Sequence, residues 1–227
     1  DRFGFTLAEV LITLGIIGVV SAITVPTLIQ NYQKKSYVVQ LHKVYNEIQQ
    51  ALMQYQTERN ALNLTEAGLI SKSSVEDLFN SYFKVVRFCK GNSDDCFASS
   101  YKYINGNSVS TADVWTGSCA TLTSGASLCM DYPTLYNKTY GRVFIDVNAK
   151  KGPNILGRDA FYLAVFPDGV LDVIGANINC RLNGQCGSYK SLKEVRGTVD
   201  DCKTGRQETT RGSCFGQILN DNWEMTY

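Results

Sequence analysis

Phe5 to Ile29 is a run of 25 residues in which Glu9 is the only charge. As a helix rising about 1.5 Å per residue it spans about 37 Å, enough to cross a bilayer core. No other stretch limits the fold as strongly, because such a helix must sit in lipid or against other apolar surface. The acid is the difficulty. A carboxylate near a bilayer core costs roughly 2.5 to 3.5 kcal/mol on insertion scales, so something has to offset Glu9. A cleaved secretory signal would carry a shorter apolar core ending at a small-residue site. Val20-Ser21-Ala22 imitates such a site, yet the run is too long and holds an acid. A plain signal anchor leaves Glu9 unexplained as well.

Gly4-Phe5-Thr6-Leu7-Ala8-Glu9, followed by about twenty apolar residues, closely resembles the amino terminus of type IV pilins and of the pseudopilins of type II secretion. The resemblance covers about the first 35 residues. It implies that a prepilin peptidase cuts between Gly4 and Phe5 and methylates Phe5 as the new terminus. Glu9 takes the place of the family's glutamate, and Gly15, Gly18 and Pro26 match its helix-weakening positions. Residues 1–4 are then expected to be the remnant of a leader. The positive-inside rule fits poorly, since Asp1-Arg2 is nearly neutral and Lys34-Lys35 follow the span; a lost basic leader would account for that.

Physical chemistry supports the resemblance from a separate direction. Cleavage would expose an α-amine at Phe5 that is charged at neutral pH. In a polymer that amine can meet the Glu9 carboxylate of an adjacent subunit, so Glu9 is costly alone, tolerable when paired, and specific for one axial offset. Methylation keeps the charge. Helices in lipid gain little hydrophobic free energy on associating, so close backbone approach must supply it; Gly15, Gly18, Ser21 and Ala22 put small residues on roughly one face, although such residues are common in membrane helices anyway. Pro26 removes one backbone hydrogen bond, which makes Gly15 to Pro26 the weakest stretch of the helix. In family filaments that stretch can unwind.

Beyond Pro26, Leu41, Val44, Ile48, Leu52 and Tyr55 recur at spacings of three and four and predict an amphipathic helix to about Arg59. His42, the one histidine, is expected to be a solvated or partly packed residue of that helix. Asn60 to Leu64 breaks it, and Ser74 to Phe83 reads as a second helix with Ser74 as N-cap. Tyr101–Ile104, Arg142–Val147 and Ala160–Phe166 read as strands, and Asp168-Gly169 as a hairpin turn into Val170–Val173. Trp223–Tyr227 is a candidate for closing the sheet. The expected fold class is α+β: a pilin-like long helix packed on a small antiparallel sheet with disulfide-closed loops. The expected organisation is residues 1–4 as leader remnant, 5–29 as membrane and filament-core segment, 30–59 as amphipathic half, and 60–227 as an extracytoplasmic α+β domain.

Eight cysteines, none in a Cys-x-x-Cys pair, all follow the apolar run; this fits an oxidising compartment and disfavours zinc-ribbon and thioredoxin readings. Many connectivities are open. The expectation is four local pairs, Cys89–Cys96, Cys119–Cys129, Cys180–Cys186 and Cys202–Cys214, each contributing roughly 2 to 3 kcal/mol in the chain-entropy model. The last is expected to stiffen an exposed C-terminal region used in contacts.

The formal net charge is +1, which argues against nucleic acid as the main partner. The densest basic stretch, Arg181 to Arg211, is interleaved with Glu194, Asp200, Asp201 and Glu208 and reads first as a mixed surface. Its rival is a weak DNA patch built on Arg196, Lys203 and Arg206. Asp146, Asn148, Asn154 and Asp159 gather oxygens on one loop and are a weak calcium candidate, opposed by Lys150 and Lys151; Asx turns explain the same residues. No other metal or cofactor is expected. Asn63-Leu64-Thr65 and Asn137-Lys138-Thr139 fit the glycosylation pattern, with little expectation of modification. No phosphate loop, nucleophile–base pair or paired-carboxylate motif is evident, so an enzyme is not expected.

The function expected is a structural subunit of a type IV pilus-like filament. The alternatives share the same N-terminus: a type II secretion pseudopilin, or a minor or competence pilin acting as an adhesive or DNA-binding tip. Implied partners are further copies or other pilin subunits, the prepilin peptidase, an inner-membrane assembly platform, lipid before assembly, and DNA or a surface ligand at a tip. The precursor would sit in the inner membrane with its globular domain outside the cytoplasm, and the filament on the cell surface.

Overall fold

The computed structural model describes residues 4, 6–89, 96–109, 117–133, 139–205, 208 and 212–227. The chain divides into two compact units, residues 1–36 and 37–227. Helix α1 (Leu7–Glu58) has Pro26 inside it. Its described residues up to Gln33 are exposed, so nothing described within the first unit covers their apolar surface.

In the second unit Val38, Leu41, Val44, Ile48, Ala51, Leu52 and Tyr55 are buried along one face of α1, the row that a 3.6-residue period places together. Burying each large member contributes about 1.5 to 3 kcal/mol. The helix ends where Asn60 adopts a positive φ of 49°, which asparagine tolerates better than most residues. The following loop is tied down by Leu64 N–H donating to the Pro167 carbonyl at 2.7 Å. Helix α2 (Lys72–Tyr82) starts earlier than its sequence signal suggested. Ser71, not Ser74, is the N-cap, and the two serines cap each other reciprocally, which satisfies two orphan amides at once.

Six strands follow: β1 (Val85–Phe88), β2 (Ser118–Leu122), β3 (Ser127–Met130), β4 (Gly141–Asp146), β5 (Ala160–Val165) and β6 (Leu171–Asp172). They form one sheet in sequence order, each antiparallel to the next. The β5–β6 turn is the Asp168-Gly169 hairpin, with Gly169 at φ +78°. Alternate residues serve two faces. Leu122, Leu128, Val143, Ile145, Phe161 and Leu163 join the buried row of α1 in the main core. On the other face Cys129, Phe144 and Tyr162 meet Phe97, Tyr101 and Leu156 in a smaller cluster. Coverage of both faces explains why β5 is buried at every position.

Two expected strands are absent. Tyr101–Ile104 makes only isolated bridges from Lys102 to Ser108 and Ile155; Tyr101 belongs to the smaller cluster, so its alternating pattern reports packing across the sheet face, not pairing. Trp223–Tyr227 is irregular. Trp223 stacks on His42 with centroids 4.0 Å apart, and the Tyr227 hydroxyl donates to the Gly157 carbonyl at 2.8 Å. The tail is held by side chains where a ladder was expected.

Among the described residues, four short helices complete the unit: α3 (Ile178–Asn183), α4 (Leu192–Val195), α5 (Val199–Thr204) and α6 (Ser213–Asn220). Asn177, Ser191 and Thr198 cap the first three. Gly216 lets α6 approach closely, since a Cβ there would stand 2.0 Å from the Arg196 carbonyl oxygen. Disulfides join Cys89–Cys96, Cys119–Cys129, Cys180–Cys186 and Cys202–Cys214. Cys119 and Cys129 face each other across β2 and β3. Cys202 and Cys214 are themselves buried, so this bridge ties α5 to α6 from its inner side, while Asp200, Lys203 and Thr204 of α5 stay exposed.

Asp172 on β6 is 2% exposed and takes both Nε and Nη2 of Arg196, at 3.0 and 2.7 Å. Removing one member of such a pair strands the other, so Asp172→Ala should cost about 3 to 5 kcal/mol. Lys203→Ala, at an exposed site on α5, should change stability by less than about 0.5 kcal/mol. Denaturant unfolding of the full chain in detergent measures both.

Candidate functional site

Helix α1 begins on a reciprocal cap. Glu9 Oε2 accepts from the Thr6 amide at 2.8 Å and the Thr6 hydroxyl at 2.9 Å, while the Glu9 amide donates to Thr6 Oγ1 at 3.2 Å. This is a capping box, in which two orphan amides of the first turn find side-chain acceptors. A carboxylate in the first turn also lies at the positive end of the helix dipole. Thr6-x-x-Glu9 carries that signal in the sequence, but attention to Glu9 as a lone charge passed over it. Thr6 is the functional residue that sequence reasoning missed. Both of its donors fall on Oε2, and no partner of Oε1 is found among the described residues.

Gly4 is exposed, just ahead of the cap. Phe5 lies outside the described residues, as do Asp1 and Arg2. At Gly15 and Gly18 an added Cβ would meet nothing within 4 Å. Each glycine costs roughly 1 kcal/mol against alanine within a helix, and nothing inside this unit requires the missing side chains. Pro26 does not interrupt α1. The hydroxyls of Thr13, Thr24 and Thr27 donate back to the carbonyls of Val10, Val20 and Ile23, so the segment satisfies these polar groups internally, as an apolar surrounding requires. The helix is long and apolar enough to cross a membrane.

Residues 1–25 match the family model of the prokaryotic N-terminal methylation motif. This chain carries the hallmark of type IV pilins and pseudopilins. No curated protein and no solved structure matches it. The motif supports a type IV pilin-like or pseudopilin protein, points to a structural role, and implies prepilin peptidase processing and assembly partners in general. With the apolar helix it is consistent with membrane anchoring.

The other sequence candidates sit elsewhere in the chain. Asp146 and Asp159 are fully buried at the two ends of the β4–β5 loop. Asp146 accepts from the Tyr101 hydroxyl and from the Asn148 amide at 3.1 Å. Asp159 accepts from the amides of Asn154 and Ile155, at 2.8 and 2.7 Å. Three of the four carboxylate oxygens thus clasp the loop, and the fourth ties it to Tyr101. Asn148 Oδ1 and Asn154 Oδ1, buried without a partner, are the feature that would suit a cation. Among the described residues no group of three or more His, Cys, Asp or Glu could hold a metal. Asn63 uses its Oδ1 to accept from the Glu66 amide, and Asn137 lies outside the described residues. Of the basic patch, Arg196 is committed to Asp172 and Arg181 to Asp168 at 2.6 Å; Lys203 is exposed, and Arg206 lies outside the described residues.

A buried acid outside the amino-terminal site was also missed. Glu208 is 1% exposed, with Oε2 accepting from Ser213 Oγ at 2.9 Å and the Cys214 amide at 2.7 Å. Burial pushes its carboxyl up to about 7, against the pull of those donors. Burial, with the charge of Asp159, pushes Asp146 up to about 8. Both groups hold protons in the folded chain that the unfolded chain releases above about pH 4. Stability should therefore be highest in mild acid and fall as pH rises through about 8. Glu208→Gln keeps an acceptor without the charge and should raise stability above pH 8 by on the order of 2 kcal/mol. Thermal unfolding between pH 5 and pH 9 checks both; a wild-type midpoint that rises with pH would refute the assignment.

Proposed function

We propose that this chain is a structural subunit of a type IV pilus-like filament, cut between Gly4 and Phe5, methylated at Phe5 and polymerised through α1. The observation that carries the reading is the placement of Glu9. It lies in the first turn of a helix whose side chains, through Ile29, are otherwise uncharged and exposed. The precursor would wait in the inner membrane with residues beyond the span outside the cytoplasm, where its disulfides persist.

Assembly then has a definite chemistry. Cleavage before Phe5 leaves the Thr6 amide intact, so the cap survives processing. Thr6 engages Oε2 alone, which leaves Oε1 to accept from the ammonium of a neighbouring Phe5. The cap pre-orients the carboxylate, and the neighbour's amine offsets the cost of carrying it into an apolar core. Gly15 and Gly18, with no neighbour inside their own unit, are placed to let a second helix approach. A pseudopilin or a minor pilin would share all of this. The DNA-binding version of the minor-pilin reading is weakened because Arg196 is already held by Asp172.

Two variants separate the cap from the registry role. Glu9→Gln retains a capping-box residue but loses the charge; Glu9→Ala loses both. If the charge pairs with a neighbour's amine, both variants fold and neither assembles into filaments under electron microscopy. Normal filaments from Glu9→Gln would reduce Glu9 to a helix cap. Mass spectrometry of assembled protein should find methylated Phe5 at the terminus; intact Asp1-Arg2 would sink the cleavage step.

A further inference from the structure

We propose that a cleft beside the β5–β6 turn is a binding site for a neutral saccharide. The cleft has a volume of 560 Å³, within the roughly 300 to 1,000 Å³ usual for small-ligand sites. Three separate stretches build it: Leu62 and Asn63 after α1, Phe166 to Asp168 at the turn, and Asn177 to Arg181 at the start of α3, with Thr139 beside them. Its location is set by contacts already described. The Leu64–Pro167 hydrogen bond holds the first stretch to the second, and the Arg181–Asp168 ion pair holds the second to the third.

The lining has two kinds of surface. Leu62 is 88% exposed and Ile178 48% exposed, with Leu182 at 75% one turn further along α3. Singly such residues are ordinary, but here Leu62 and Ile178 lie with Phe166 and Pro167 on one concave surface. The polar remainder is made of amides. Asn63 and Asn177 each spend Oδ1 on a backbone amide, of Glu66 and Cys180, which leaves their Nδ2 donors over among the described residues. Asn179 has no hydrogen bond to another described side chain.

Charge selects the ligand class. The two charged residues of the lining, Asp168 and Arg181, neutralise each other at 2.6 Å, and Arg181 Nε is taken by the Ala176 carbonyl at 2.8 Å. A charged ligand would therefore find no free counter-charge. A purely aliphatic ligand would bury the amides unpaired, at a cost that such groups do not recover. A sugar ring answers both demands, since it is neutral, offers hydroxyl acceptors and donors around its edge, and presents C–H faces to Leu62, Pro167 and Ile178. This site does not depend on polymerisation.

The test uses the full chain in a zwitterionic, sugar-free detergent. Methyl glycosides of glucose, galactose and N-acetylglucosamine are screened by saturation-transfer NMR and titrated by calorimetry. At least one should bind, and Leu62→Asp and Asn179→Ala, both at exposed positions where folding is little affected, should each weaken it by roughly tenfold. Circular dichroism verifies that the variants are folded. Three results would overturn the proposal: no transfer to any glycoside, binding unaffected by both folded variants, or displacement of the glycoside by a plain alkyl probe with equal affinity.

Discussion

The globular unit depends on the row from Val38 to Tyr55, which can leave water only against a sheet. Once that face of α1 is covered, the strands are sorted. The residues of β2 to β5 that meet the row form the main core, and their alternates are turned outward. Those outward residues are themselves apolar, Phe144 and Tyr162 above all, so a second layer has to cover them. Residues 96–109 supply it, with Tyr101 reaching through to Asp146. A six-stranded meander whose strands β3 to β6 are buried on both faces, with β1 left as an exposed edge, follows from one helical stripe and the two-residue period of the strands.

The same helix carries a segment governed by the opposite condition. Up to Gln33 nothing inside its own unit covers its apolar surface, and the one carboxylate there is satisfied by its own first turn. The cap is what the fold itself uses this group for; in the proposed filament, registry would be a second use of it. Thr6 fixes where the carboxylate points by binding one oxygen, and a neighbour can then use the other. A membrane-length helix with this end can leave lipid without stranding a charge, provided that a partner's amine arrives.

Polar groups in the interior follow a related economy. Asp172 is matched by Arg196, whereas Asp146, Asp159 and Glu208 are held by hydroxyl and amide donors, with no ion pair to them among the described residues. Hydrogen bonds draw their pKa values downward and burial drives them upward, and for these acids burial prevails. The consequence is a domain that suits mildly acidic conditions more than alkaline ones.

Much of this was legible in the residues. The apolar run, the spacing of Leu41, Val44, Ile48, Leu52 and Tyr55, and the alternation in Arg142–Val147 and Ala160–Phe166 each express a local period, and local periods survive in a linear chain. The methylation motif is likewise contiguous. Tyr101–Ile104 and Trp223–Tyr227 misled because alternation or aromatic content reports burial, while pairing depends on which backbone is near. The Ser71 cap needed both serines in their rotamers. Sequence by itself determined the membrane-length apolar run, its acid, the amphipathic stripe and the α+β class. Only tertiary structure decided which carboxylates are buried without a cation, which arginines are already engaged, and that Leu62, Pro167 and Ile178 line one cleft. The two ion pairs join residues 13 and 24 positions apart and the cleft joins residues more than 100 positions apart, and no pattern along the chain encodes that proximity.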